Sequence, residues 1–199
     1  YFSDRQVTIP GAAVLTDKRS DLLFAAAGEL GGGLSFDGGI QYSVAEQQVP
    51  RGSVNLRWRG DDGRIFNTGV RYLRDNTAQF DTSWRLPIAP RWMSLGRINY
   101  SFLHRQIDAT TGQVVPATPG VVEGLLGFEY QQDCWVARVV LQRFVTAAAT
   151  TTSALFVQLE LTGLGNVGSN PFDILRRNIP GYRLPNQRPQ TPSQYFGYE

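Results

Sequence analysis

Three kinds of residue in this chain could carry chemistry: a single histidine, a single cysteine, and a set of arginines and carboxylates recurring at every second position. His104 has Ser101 before it and Asp108 after it. A nucleophile, a base and an orienting carboxylate make a hydrolytic set only when they converge within hydrogen-bond reach. Nothing in this spacing forces convergence, so His104 reads as a solvated residue at the loop end of a strand. Cys134 has no second cysteine in the chain to bond with. It is either a buried thiol or one half of a bridge to something outside this sequence. One histidine and one cysteine cannot build the usual zinc or iron sites. No glycine-rich phosphate loop follows a strand and opens a helix, and Gly31-Gly32-Gly33 reads as a turn between strands. No metal and no cofactor is expected.

The charged set is richer. Arg57, Arg71, Arg85, Arg97 and Arg138 share one side of their segments with Asp37, Asp81, Glu123, Glu129 and Glu160. Isolated charges in a dry interior are prohibitive, so the space they face must be hydrated or densely paired. Two readings stay open: the charges satisfy one another, or they line a hydrophilic path for a substrate bearing sugars and phosphates. Arg71 and Asp81 fall diagonally across one expected hairpin, within reach of each other.

These residues are positioned by strands. Ser53, Asn55, Arg57 and Arg59 alternate with Val54, Leu56 and Trp58; Ala78, Phe80, Thr82, Trp84 and Leu86 alternate with Gln79, Asp81, Ser83 and Arg85. The same period of two runs from Leu34 to Val44 and from Leu155 to Leu161. Successive side chains of a strand point to opposite faces, so each segment has one apolar and one wet side. Charges at mid-strand, in units of about ten residues, are the pattern of a transmembrane β-barrel with a polar interior. Strands are expected near residues 1–9, 20–30, 33–45, 51–59, 64–73, 77–87, 91–104, 120–131, 134–146 and 152–163. Val54, Leu56, Trp58, Phe66, Val70, Tyr72, Phe80 and Trp84 then share the lipid-facing parity. Arg57, Arg71, Asp81, Arg85, Arg97, Glu123, Glu129, Arg138 and Glu160 face inward.

Turns on one side are tight, at Gly31-Gly32, Asp61-Asp62-Gly63, Ile88-Ala89-Pro90 and Gln132-Asp133. Those on the other are longer, at Pro10–Arg19, Glu46–Pro50, Arg105–Pro119 and Ala147–Thr151, with Arg74-Asp75-Asn76 the exception. Outer-membrane barrels sort their loops this way. A Trp58–Phe66 match makes Asp61-Asp62-Gly63 a three-residue loop with Gly63 left-handed. A Tyr130–Trp135 match calls for the two-residue turn Gln132-Asp133. Beyond Gly163 the alternation stops. A short helix within Asn166–Arg177 is capped by Asn170 with Pro171 at its first position, and Pro180–Glu199 reads as an extended or disordered tail.

Composition narrows the class. Charged residues make up 18% of the chain, the net charge is +2, and Lys18 is the only lysine, so no basic patch for nucleic acid exists. The longest apolar run, Leu22–Ala27, is far short of the roughly twenty residues a transmembrane helix needs. Tyr1–Ile9 reads as a strand, and the chain is taken as a fragment of a longer precursor.

Several segments together resemble one family, the lipopolysaccharide-assembly outer-membrane protein LptD. They are Asp61-Asp62-Gly63-Arg64-Ile65-Phe66-Asn67-Thr68-Gly69-Val70-Arg71-Tyr72, Gly96-Arg97-Ile98-Asn99-Tyr100-Ser101 and Leu126-Gly127-Phe128-Glu129-Tyr130. Asp133-Cys134-Trp135-Val136-Ala137-Arg138-Val139-Val140 and Gln158-Leu159-Glu160-Leu161-Thr162-Gly163-Leu164-Gly165 complete the set, in order and at matching spacing from about Tyr1 to Tyr182. The resemblance implies the C-terminal part of a twenty-six-stranded barrel, with residues 1–163 in the barrel and 164–199 a periplasmic tail. It implies a transporter without catalytic residues in the outer membrane of Gram-negative bacteria, inserting lipopolysaccharide into the outer leaflet. Its partners are an LptE-type plug lipoprotein and a periplasmic lipopolysaccharide bridge reached through an N-terminal domain. The family's last strand pairs weakly with its first and the seam opens sideways. Here that strand is Ser153–Gly163, with Leu155, Val157, Leu159 and Leu161 at the gate. Many members carry two adjacent cysteines where this chain has Asp133-Cys134; Cys134 matches the second, which implies an interdomain disulfide to the N-terminal region. The alternatives are a self-contained ten-stranded hydrolase barrel, in which Tyr1–Ile9 pairs with Leu155–Leu161, and a soluble β-sandwich.

Overall fold

A computed structural model describes residues 20–107, 111, 113–145, 151–161 and 164–183. The expected strand at 1–9, Asp108 of the histidine constellation, the loop at 146–150 and the tail from 184 lie outside the described residues. The chain runs β1 (Leu22–Gly31), β2 (Leu34–Ser43), β3 (Gln48–Arg59), β4 (Ile65–Leu73), β5 (Thr77–Ala89), β6 (Trp92–Ser101), β7 (Arg105–Ile107), β8 (Val114–Pro116), β9 (Gly120–Gln131), β10 (Trp135–Val145), β11 (Thr151–Leu161), β12 (Gly165–Gly168) and α1 (Phe172–Asn178). All but β7 and β8 form one antiparallel sheet in the order β1-β2-β3-β4-β5-β6-β9-β10-β11-β12. β7 and β8 pair only with each other, inside the long connection between β6 and β9. Each expected strand from 20–30 to 152–163 has its counterpart, because alternation of polar and apolar residues is itself the signal of a two-faced strand. Among the described residues the sheet is open, with β1 and β12 at its edges.

Register separates the two faces, with Arg143 near the loop end of β10 a charged residue on the apolar side. Val54 lies opposite Val70, and Val70 opposite Phe80; Trp58 lies opposite Phe66, and Phe66 opposite Trp84. Leu126 stands opposite Leu141, which stands opposite Leu155. This apolar face is uncovered: Val54 is 63% exposed, Leu141 49% and Leu155 64%. Aromatic rows border it. Trp92 and Tyr130 meet at 4.9 Å, and Tyr130 and Trp135 at 5.3 Å, near the tight turns; Tyr100 and Phe102 meet at 4.9 Å at the opposite end. The stretch of β6 from Trp92 to Tyr100 measures about 26 Å along the strand.

The turns show where glycine is required. Gly63 has φ 79°, closing the β3–β4 loop in the left-handed region as its sequence suggests. Gly33 has φ 76°, and a Cβ there would collide with the Arg59 carbonyl; the two residues are held together by the Arg59 N–H, which donates to the Gly33 carbonyl at 2.9 Å.

Several expectations change. The β5–β6 turn is Pro90-Arg91, with Ala89 opposite Trp92, not Ile88-Ala89-Pro90. The β9–β10 turn is Asp133-Cys134, not Gln132-Asp133, since Gln132 N–H donates to the Trp135 carbonyl at 2.9 Å. Cys134 therefore sits exposed in a turn and does not begin the strand facing inward. The sheet does not end at β11: Gly165–Gly168 adds β12, with Leu161 opposite Gly165 and Gln158 opposite Gly168. A glycine-containing stretch with almost no alternating side chains gives no periodic signal, yet its backbone still completes a ladder. Finally, Pro171 is the residue before the helix and not its first; Asn170 Oδ1 accepts the Phe172 N–H at 3.1 Å.

Candidate functional site

The opposite face of the sheet carries the charges, and register places them in rows. Arg85, Ser83 and Asp81 of β5 lie beside Leu95, Arg97 and Asn99 of β6; Glu129, Gly127, Leu125 and Glu123 of β9 follow. Val136, Arg138, Val140 and Gln142 of β10 come next, then Glu160, Gln158, Phe156 and Ala154 of β11. Arg57 and Arg71 stand on the same face in β3 and β4, since Arg57 lies opposite Asn67 and Ser53 opposite Arg71.

At the centre is a dry ion network. Arg138 is 1% exposed and Glu129 is fully buried. Arg138 Nε donates to Glu129 Oε2 at 2.7 Å, and its Nη1 donates to Gln158 at 3.0 Å and to Glu160 Oε2 at 2.6 Å. Arg85 donates to Glu129 Oε1 at 2.8 Å and to the Gly63 carbonyl at 2.6 Å. Gln131 donates its amide to Glu129 as well. A buried carboxylate is tolerable only when its lone pairs are filled this way.

A second cluster is wetter. Arg97 donates to Asp81 at 2.9 Å, to Glu123 at 2.9 Å and to Asn178 Oδ1 at 2.6 Å. Arg97, not Arg71, is the cation that pairs with Asp81; Arg71 is exposed and has no ion-pair partner among the described residues. Arg71 and Arg97 both stand diagonally from Asp81, across β4–β5 and β5–β6 respectively, and it is Arg97, held also by Glu123 and Asn178, that closes the pair. Arg57, Arg71, Asp81 and Arg97 border one cleft of about 280 Å³. Farther along, Arg57 pairs with Asp37 at 2.6 Å, both side chains partly open to solvent.

Sequence reasoning passed over the second layer of this site. After β12 the chain turns back across the polar face. Leu175 and Ile179 are fully buried and Tyr182 nearly so, packed on Ile65, Leu95, Leu125 and Val140, with Phe156 and Phe172 alongside. The Tyr182 hydroxyl donates to Glu129 Oε2 at 2.8 Å and accepts from Arg138 Nε at 3.1 Å. Burial and the adjacent Glu129 carboxylate push the Tyr182 phenol far above its usual range, so it remains a donor. Asn67 donates to the Pro180 carbonyl at 3.2 Å. The signal was present in the apolar spacing Phe172, Leu175, Ile179 and Tyr182, a one-faced helical stripe that a tail rich in proline and glutamine obscured.

The other candidates fall away from this centre. Leu155, Val157, Leu159 and Leu161 lie on the apolar face of β11. His104 is exposed in the connection after β6, and the nearby Ser101 hydroxyl is engaged by the Leu103 N–H at 3.3 Å. No group of three metal-ligating side chains occurs among the described residues.

Comparisons with known proteins agree with one another. The family model described as LptD, LPS transport system D, matches residues 1–92. The LPS-assembly protein LptD of Thiobacillus denitrificans is 37% identical over 192 residues, covering 96% of this chain and 24% of that protein. The proteins of the same name from Bordetella pertussis and a Polaromonas species are 36% and 31% identical, covering 97% and 100% of this chain and 25% of each relative. The chain thus spans about a quarter of the length of the curated relatives it matches.

Proposed function

The chain belongs to the LptD family, and from that premise we propose that it is part of the wall of an outer-membrane β-barrel that transports and assembles lipopolysaccharide in a Gram-negative bacterium. One observation supports this above the others: a sheet whose uncovered face is apolar across its strands and bordered by aromatic rows, with Arg143 only near its loop end, while the other face holds the mid-strand charges. Water would not tolerate an apolar surface of that extent on a lone soluble domain. Lipid requires it, and a band about 25 Å tall between aromatic girdles is the dimension of a barrel wall.

In this reading the apolar face meets hydrocarbon and the polar face meets the lumen. Arg57, Arg71, Asp81, Arg85, Arg97, Glu123, Glu129, Arg138 and Glu160 then line or support the passage for a sugar- and phosphate-bearing cargo. The segment is the C-terminal part of the barrel, and its role is translocation, not catalysis. Partners are lipopolysaccharide, a plug lipoprotein of the LptE type within the barrel, and a periplasmic lipopolysaccharide bridge met by an N-terminal domain. The lateral opening lies at the β11–β12 edge, with Leu155, Val157, Leu159 and Leu161 presented to lipid beside it. Outer-membrane barrels keep their short turns on the periplasmic side, where the compartment is oxidising, and Cys134, exposed in such a turn, forms a disulfide with the N-terminal region in this reading.

Fluorophores placed singly at Val54, Val70 and Arg71 of the full-length protein in lipid vesicles test the wall. Lipid-borne quenchers should reach Val54 and Val70 and spare Arg71; quenching of Arg71 from lipid would end the barrel reading. Non-reducing electrophoresis tests the bridge, since Cys134→Ser should change the mobility of the full-length protein.

A further inference from the structure

The chain does not leave the sheet after its last strand. Ser169 N–H donates to the Val157 carbonyl at 3.0 Å, and the Ser169 hydroxyl both accepts from Val157 N–H at 2.9 Å and donates to its carbonyl at 3.1 Å. Gln158 of β11 donates to Asn170 at 3.4 Å. From there the chain crosses the polar face: α1 packs on Val140, Leu125 and Leu95, Asn178 takes the Arg97 guanidinium of β6, and the Pro180 carbonyl takes Asn67 of β4. Gly181, at φ 91°, lies against the guanidinium of Arg59 in β3. Asn178 also donates to the Ile174 carbonyl at 2.9 Å, which holds its oxygen toward Arg97.

We propose that Ser169–Tyr182 is an inner strap that ties the edge of the sheet, β11 with β12, to strands as far away as β3 and so holds the wall at one curvature. Length supports it. From β11 to β3 there are six interstrand steps, about 29 Å along the wall at about 4.8 Å each. A seven-residue helix flanked by short extended pieces reaches no farther than about the same distance, so on a flattened wall the strap would be drawn to its limit. Flattening the wall, or sliding β11 along it, pulls one end of the strap off its partners.

The strap is fastened at several kinds of anchor. Its apolar side chains are buried, its Asn178 and Tyr182 join both charge clusters, and its backbone accepts from Asn67. β12, by contrast, is four residues long, a short ladder at an exposed edge. The strap therefore supplies the edge with an attachment that does not depend on strand pairing. Filling space alone would need the apolar contacts and neither of the polar anchors on β4 and β6.

The test cuts the strap after folding, in the full-length protein with its lipoprotein in lipid vesicles. A protease site inserted between Ser169 and Asn170 separates the docked helix from β12 without removing a buried side chain. Spin labels at Asp61, in the β3–β4 turn, and Leu164, in the β11–β12 turn, span the tie in a Cys134→Ser background. Cleavage should widen and shift the Asp61–Leu164 distance distribution, and the Gly165–Gly168 amides should exchange at least about tenfold faster. Leu175→Ser with Ile179→Ser, which undocks the strap uncut, should give the same change in distance. A distribution after cleavage that superimposes on that of the protein without the inserted site overturns the proposal. The outcome does not depend on lipid facing the apolar surface, which the quenching experiment reads separately.

Discussion

The polar face of the sheet is two different surfaces. Where α1 and Tyr182 pack over it, the Arg138–Glu129–Arg85 network beneath them is dry. From β1 to β3 the same alternation of residues meets solvent, and the Arg57–Asp37 pair keeps side-chain exposures of 49% and 36%. The two pairs have nearly equal distances, 2.6 Å for Arg57–Asp37 and 2.7 Å for Arg138–Glu129. Geometry is therefore not what separates them. Breaking a buried pair strands a charge in a low-dielectric site, whereas an exposed pair exchanges one set of water contacts for another.

The sharpest way to break that contrast is Glu129→Ala. It leaves Arg85 and Arg138 buried without their shared carboxylate and should destabilise the folded barrel by about 3–5 kcal/mol, read as a urea midpoint in lipid vesicles. A loss no larger than that of an exposed pair would make the two surfaces equivalent. Next come Val54→Arg and Val139→Arg, one in each half but both on the uncovered apolar face. Each should cost about 2–4 kcal/mol, because the strap distinguishes the halves only on the other side. Unequal costs would show that the halves differ on the apolar face as well.

Tyr182→Phe removes one hydroxyl and keeps the ring. It should cost about 1.5 kcal/mol, the worth of a hydrogen bond to a charged group, and raise amide exchange across α1. The smallest effect belongs to Asp37→Asn, below about 1 kcal/mol and fading in high salt as screening removes an exposed attraction. A loss at Asp37 that persists in high salt would mean that the first half of the face is also dry.

Much of this was legible in advance, for a definite reason. A strand's side chains alternate whatever surrounds it, so the positions of Val54, Trp58, Val70 and Phe80 on one face and of Asp81, Arg85 and Arg138 on the other follow from counting by two. The left-handed Gly63 was readable because only the backbone of a three-residue hairpin loop demands it. The helical stripe Leu175, Ile179, Tyr182 was readable in principle but not where it would dock.

What only the tertiary structure decided is which of these charges are dry and whom they meet. Asp81 pairs with Arg97 and not with Arg71, although both stand diagonally from it, and Glu123 and Asn178 hold the Arg97 guanidinium in place. Cys134 occupies a turn because one residue of register moves it out of the strand. Glu129 is buried because a segment about fifty residues later folds back over it. Alternation along a chain is a local property, fixed by the pleat. Burial is the sum of everything that packs above a site, and no window of neighbouring residues contains it.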